Sequence, residues 1–347
     1  MGVTLQDIAQ ACGVSNATVS RVITGSGPVK PETRDRIMKT IRQYNYVPNA
    51  IARSLSRSVT NTVGVVVPDI ENPFFGSIIR GITTVLRNIG YNIVLCDTEE
   101  KFNYEIDALD ALTQERVRGI IIAPTIEREN PENRKHMLPI SRKTPVVLID
   151  RDIAYSHYSG VFFDNISAGR EATEALINAG HTKIAAVFGP KFSRSNIERY
   201  QGYCNAFEMN DIAVNESYLF NSDHYTTECG FEIMRKILNL KDRPTAVFAG
   251  SNSLTAGCIN CLLDQHIKIP EEMAIVGFDS TKKYDPFGLH ISFVERSISE
   301  MGKTAARLLE EQIEVSDGTE KIQKRIIIPS KLVLKGSEIF YIRKFCG

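Results

Sequence analysis

The stretch Val14-Ser15-Asn16-Ala17-Thr18-Val19-Ser20-Arg21 carries residue types that read the edges of base pairs. An arginine fork matches guanine O6 and N7, an asparagine amide matches adenine N6 and N7, and an alanine methyl touches a thymine methyl. If the stretch is a helix with Val19 and Val22 turned inward, Asn16, Ala17, Ser20 and Arg21 share its outward face. Ser15, Thr18 and Ser20 are suited to phosphate oxygens, which set position rather than sequence preference. The plain alternative is a solvated polar face on a small helical bundle.

Such a helix needs neighbours to present it. Leu5, Ile8, Ala9 and Cys12 recur at the spacing of one helix face, with Thr4 placed as the N-cap, Asp7 as an acidic capping-box partner and Gly13 as the stop. Ser15 can cap the second helix, which runs to about Ile23. Two short helices joined by a glycine-containing turn make the helix-turn-helix arrangement. Pro31 stands at the start of a third helix, whose apolar face is Ile37, Met38, Ile41 and Tyr44. Pro48 then breaks the chain, Asn49 can cap one or two helical turns through Ala52 and Leu55, and Ser56–Asn61 is a polar linker. So short a helix is marginal alone and needs a partner copy or DNA to stabilise it. Residues 1–60 hold eight Arg and Lys against three Asp and Glu, a net charge of +5 that leaves −5 on residues 61–347 of a neutral chain. A basic head on an acidic body suits phosphate binding by the head.

After residue 61 the pattern becomes strand then helix, repeated. Thr62–Val67, Asn92–Cys96, Gly119–Ala123 and Val146–Asp150 read as buried strands, with helices about Phe74–Asn88, Asn103–Gln114 and Glu132–Arg142 between them. A second series has strands Lys183–Phe188, Tyr218–Phe220, Ala246–Ala249 and Ala274–Gly277. Its helices are about Ser167–Ala179, Ser195–Met209, Thr227–Leu238 and Leu254–Gln265. Two such series imply an α/β body of two doubly wound parallel-sheet lobes, with ligands bound beyond the carboxyl ends of the strands. Strand ends supply ligand-binding chemistry. Phe74 and Phe75 can stack on an apolar ring face, and Asp150 and Arg151 pair an acceptor with a forked donor. Ser251 and Asn252 follow another strand, and Tyr225 is placed to close one side.

The motifs Thr4-Leu5-x-Asp7-Ile8-Ala9, Val14-Ser15-x-x-Thr18-Val19-Ser20-Arg21-Val22, Thr33-Arg34 and Asn45-Tyr46-x-Pro48-Asn49-x-x-Ala52-Arg53-x-Leu55 resemble the headpiece of the LacI/GalR family of bacterial repressors. The resemblance extends over essentially the whole chain. It implies a sequence-specific, DNA-binding transcription regulator that acts as a homodimer on double-stranded operator DNA. Asn16, Ala17 and Arg21 would occupy the base-reading positions. Leu55 would be the hinge-helix leucine that wedges the minor groove, with Ala52 one turn earlier. The family body has a type I periplasmic-binding-protein fold, with a small-molecule effector, here expected to be sugar-like, between two lobes. By the same resemblance Arg199 of Gly189-Pro190-x-x-x-x-Ser195-x-x-x-Arg199 reaches the effector, with Ser195 one turn before it. Asp279, which ends Ile275-Val276-Gly277-Phe278-Asp279, anchors hydroxyls or ring nitrogens.

The expected organisation is a headpiece over residues 1–48, a hinge and linker over 49–61 and an effector-binding and dimerisation body over 62–340. Lobe 1 would comprise about 62–162 and 294–324, and lobe 2 about 163–291 and 326–340, with crossings near Phe162–Asp164, Ile291–Val294 and Lys324–Ile326. The helix Ser297–Val315 would return to lobe 1. The sequence departs from the family where a stretch ending Thr-x-x-x-Gln-Pro is usual. It reads His290-Ile291-Ser292-Phe293-Val294-Glu295-Arg296-Ser297, so Glu295 and Arg296 replace neutral residues near the cleft.

Other classes fare less well. The longest apolar runs are far too short to span a bilayer, and no basic segment followed by an apolar one opens the chain, so a cytoplasmic location without membrane contact is expected. Seven scattered cysteines argue against a disulfide framework, and Cys258-x-x-Cys261 reads as two small apolar residues rather than a metal half-site. No phosphate loop, zinc-protease motif or nucleophile elbow occurs, so neither enzyme activity nor a metal or cofactor is expected. The body alone would also suit a soluble sugar-binding receptor, which the basic head argues against.

Overall fold

The structure is a computed structural model. It describes residues 3–24, 27–44, 46, 60–125, 137, 140, 144–153, 157–279, 282–315 and 323–339. The chain divides into two compact units, Met1–Thr60 and Asn61–Gly347.

In the first unit, helices α1 (Leu5–Cys12), α2 (Asn16–Thr24) and α3 (Pro31–Gln43) enclose a small core of Ile8, Ala9, Cys12, Val19, Val22 and Ile37. The capping box forms as expected. Thr4 Oγ1 accepts from the Asp7 amide at 3.3 Å, while Asp7 Oδ2 accepts from the Thr4 amide at 2.7 Å. Gly13 takes a left-handed conformation, φ 60° and ψ 39°, that ends α1 at no steric cost. Of the apolar face expected on α3, only Ile37 is fully buried. Met38 and Tyr44 are exposed, because a bundle of three short helices covers a narrow stripe.

The second unit contains two sheets. The first has the order β11-β5-β4-β3-β1-β2, built from β1 (Thr62–Val67), β2 (Asn92–Asp97), β3 (Gly119–Ile122), β4 (Val146–Ile149), β5 (Ser159–Phe163) and β11 (Arg325–Ile328). All its pairings are parallel. The second has the order β12-β10-β9-β8-β6-β7, from β6 (Ile184–Phe188), β7 (Leu219–Asn221), β8 (Ala246–Ala249), β9 (Ala274–Phe278), β10 (Ser292–Arg296) and β12 (Ser330–Val333). It is parallel except where β12 pairs antiparallel to β10. Helices α4 (Pro73–Asn88), α5 (Phe102–Gln114) and α10 (Ile298–Glu314) cover the first sheet. Helices α6 (Asn165–Asn178), α7 (Arg194–Met209), α8 (Thr227–Leu238) and α9 (Asn252–Asp264) belong to the second lobe. The central strands, covered on both faces, are near-continuous Val, Ile, Ala and Phe, as enclosed parallel strands must be, whereas the edge strands β2, β7, β11 and β12 are partly exposed.

Two of the expected crossings move. Residues 292–296 form a strand of the second sheet, so the chain leaves that lobe after Arg296 rather than at 291–294. Residues 325–328 stay in the first sheet, in register with β5, and only Ser330 onward joins the second. The apolar residues on either side of Pro329 do not belong to one lobe. Proline lacks the amide donor a ladder needs, and here it separates two four-residue strands in different sheets. β5 is a strand beyond those expected from the sequence. Of the expected helix Glu132–Arg142, only Met137 and Ile140 lie within the described residues, and both are buried in the first lobe. Cys258 and Cys261 are fully buried core residues of α9.

Candidate DNA-reading helix and effector cleft

On α2 the two valines turn inward and the polar residues outward. Val19 is fully buried, while Ser15, Asn16, Ala17 and Arg21 are exposed and Thr18 and Ser20 half-buried. Ser15 caps the helix: its hydroxyl accepts from the Thr18 amide at 3.2 Å and lies 2.9 Å from the Thr18 hydroxyl. Thr4 is committed to the α1 cap, donating its own hydroxyl to Asp7 Oδ2 at 2.8 Å. Asn49, Ala52 and Leu55 lie outside the described residues.

In the body, a cleft of about 750 Å³ opens where strand ends of both sheets face each other. Each predicted effector residue except Asp279 lines it: Phe74, Phe75, Asp150, Arg151, Ser195, Arg199, Tyr225, Ser251 and Asn252. Chain reversals after strands put them there. After β1, Asn72 accepts from the Phe74 amide at 3.0 Å and starts α4, which buries Phe74 against Phe75 edge-to-face at 5.0 Å. After β6, Gly189 donates its amide to Asn196 at 2.8 Å. A Cβ on Gly189 would lie 2.0 Å from the Tyr225 ring, so only glycine lets that ring close the cleft. The Tyr225 hydroxyl donates to Ser193, which in turn lies 2.9 Å from Ser195. After β8, Ser251 caps α9, and Asn252 reaches across to the first lobe, donating to Asn72 at 3.0 Å.

Arg199 is anchored by the close crossing of α6 and α7. A Cβ on Gly169 would meet the Arg199 carbonyl at 2.3 Å, so this approach requires glycine. The Arg199 guanidinium donates to Asn165 Oδ1 at 3.0 Å and the Gly250 carbonyl at 2.7 Å, and stacks 4.3 Å from the Phe278 ring. Burial, and then the charge of Arg296, push its pKa below the ordinary arginine value. Arg151 is more committed than expected. It forks onto Glu100 at 2.5 and 2.9 Å and also donates to the Pro124 carbonyl. Burial opposes its charge, but Glu100 outweighs it and raises its pKa.

Asp279 and Asp150 both occupy the left-handed region, φ 61° and 58°, which side chains adopt only at a cost. Asp279 does not line the cleft. Arg296 covers it, with Nε on Oδ1 and Nη2 on Oδ2, each at 2.7 Å. The same guanidinium lies 3.5 Å from Asp150 Oδ1 and within 5.2 Å of the rings of Phe74, Phe163 and Phe278. Burial works against its charge, yet Asp279 and Asp150 together raise its pKa. The sequence flags Arg296 only as a departure from a family pattern. It gives Asn72 and Asn165 no signal beyond their places at the starts of helices.

A helix-turn-helix head joined to a two-lobed body with a cleft at its strand ends defines a class of ligand-controlled DNA-binding regulator. Residues 4–49 match the model of bacterial regulatory proteins of the lacI family, and residues 60–337 match that of periplasmic binding proteins and the sugar-binding domain of the LacI family. The chain belongs to the LacI family of transcription regulators. It is 33% identical to catabolite control protein A of Priestia megaterium over 311 residues, covering 89% of this chain and 92% of that one. A cellobiose complex of the transcriptional regulator CelR superposes with a TM-score of 0.72 at 28% identity, over 96% of this chain and 99% of that one. The lac repressor dimer bound to operator and an anti-inducer shares the fold, with a TM-score of 0.84 at 21% identity over 98% and 100% of the two chains. No described helix is long and apolar enough to cross a membrane.

Proposed function

We propose that a homodimer of this chain represses transcription in the cytoplasm by holding a pseudo-palindromic operator. In this reading Asn16, Ala17 and Arg21 read bases, and Ser15, Thr18 and Ser20 hold phosphates, while Thr4 serves the α1 cap. Asn49, Ala52 and Leu55 would form the hinge that enters the minor groove. A sugar-like effector in the cleft controls operator affinity. It lies against Phe74 and Phe75 and takes hydrogen bonds from Arg199, Ser195, Tyr225, Ser251 and Asn252. Arg151 and Asp150 shape the wall, and no residue has a catalytic role. The observation that carries this reading is Arg199, a 3%-exposed guanidinium that lines a sizeable cleft beside two aromatic rings. The test is a thermal-shift screen of the full chain with hexoses, pentoses, their acids and phosphates, and nucleobases. A ligand of the folded cleft raises the melting temperature and shifts operator affinity. A screen in which no compound moves either quantity defeats the effector reading.

A further inference from the structure

The cleft floor carries two guanidinium groups, and the carboxylates there are distributed unevenly between them. Arg296 engages both oxygens of Asp279 and sits beside Asp150. Its side chain is only 4% exposed and is wedged among three aromatic rings, yet it still lines the cleft. Asp279, 5% exposed, is thereby closed to any hydroxyl entering from the cleft. Arg199 is left with neutral oxygens only, those of Asn165 and Gly250, and no ion pair joins it to any carboxylate among the described residues. Burying a cation without an anion is costly, and a ligand that brings a negative charge removes that cost. Of the acidic groups nearer the mouth, Glu100 pairs with Arg151, Glu99 with Lys101, and Asp69 and Asp97 accept from backbone amides of their own turns, while Glu71 and Asp223 also line the cleft.

We propose that the effector carries a carboxylate or phosphate held against Arg199, and that Arg296 determines this specificity by sealing Asp279 from hydroxyls and offsetting the carboxylate charge at the floor. A planar guanidinium suits either oxyanion in a bidentate grip. The inference rests on the reading that a small molecule occupies the cleft.

The test uses the full chain and matched probes: D-glucose, D-glucuronate and D-glucose 6-phosphate, with the corresponding galactose set, titrated calorimetrically and by melting temperature. In the wild type an acid or phosphate member binds and its neutral parent does not. Arg296→Gln weakens the charged ligand by about ten-fold or more, as loss of a charged partner predicts, and lets a neutral parent bind through the freed Asp279. Arg296→Lys keeps the charge without the fork and retains the preference for the charged member. The wild-type comparison stands by itself if a substitution impairs folding. A neutral hexose that binds the wild type as tightly as its acid overturns the inference while leaving the effector reading intact. An unchanged preference in folded Arg296→Gln does the same. A panel in which no member binds overturns the inference, and the effector reading falls with it only when the wider thermal-shift screen is silent too.

Discussion

Arg21 and Asn16 stand exposed on α2, so their substitution separates recognition from stability. Arg21→Ala and Asn16→Ala are each expected to cost about 1–3 kcal/mol of operator affinity and to relax preference at one base pair. Quantitative binding to an operator and its single-base variants checks both. Truncating Val19 on the same helix should instead unfold the head. In the cleft, Arg199→Ala should abolish the response to effector while leaving operator affinity without effector close to wild type, because Arg199 touches only the body. Most cleft residues were legible from the rule that ligands sit beyond the carboxyl ends of parallel strands. That rule finds Phe74, Asp150, Ser251 and Asn252 without a structure. The Arg296–Asp279 pair was not legible in this way. It depends on β10 lying beside β9, with Val294 opposite Phe278, which brings residues seventeen apart in sequence to adjacent strand ends.

Local rules govern the elements. The Thr4–Asp7 box, Gly13 and Pro31 mark helix ends in the sequence and in the structure alike, since capping depends on neighbours a few residues away. Thr4→Ala should therefore lower the stability of the head by about 1 kcal/mol, measured by its unfolding transition. Hydrogen bonds from Thr4 depress the Asp7 carboxyl below its ordinary value of 3.8. Its contribution is thus present above that value and is lost as pH falls below it. A pH titration of the head's melting temperature should lose the low-pH step in Asp7→Asn. Close helix crossings are set at longer range. A Cβ on Gly302 would lie 2.1 Å from the Ile78 carbonyl, so Gly302→Ala must push α10 away from α4 and is expected to cost about 1–3 kcal/mol in denaturant unfolding of the body. The lobe crossing is misplaced where the decisive partner is remote. Pro329 divides β11 from β12, but only their pairing with β5 and β10 shows that they belong to different sheets.

At the scale of the molecule, a chain with no net charge concentrates +5 in its first sixty residues, so head binding to DNA should weaken steeply with salt. Within the body the lobes are tied across the cleft by Asn252 to Asn72, Arg194 to Asp152 and Arg296 to Asp150. A ligand that replaces or reinforces these ties changes how the lobes sit. If this couples to operator binding, the coupling is reciprocal: operator must alter effector affinity by the same factor as effector alters operator affinity. Ligand-controlled operator binding is measured by fluorescence anisotropy of an operator fragment selected from random DNA, titrated with the full chain at several salt concentrations, with and without the compound that raises the body's melting temperature. The expected result is preference for a palindromic fragment, affinity that falls linearly with salt on logarithmic axes, and a ligand-induced change in affinity that disappears in Arg199→Ala. Equal affinity for selected and random DNA, or operator affinity indifferent to a ligand bound in the cleft, would contradict it.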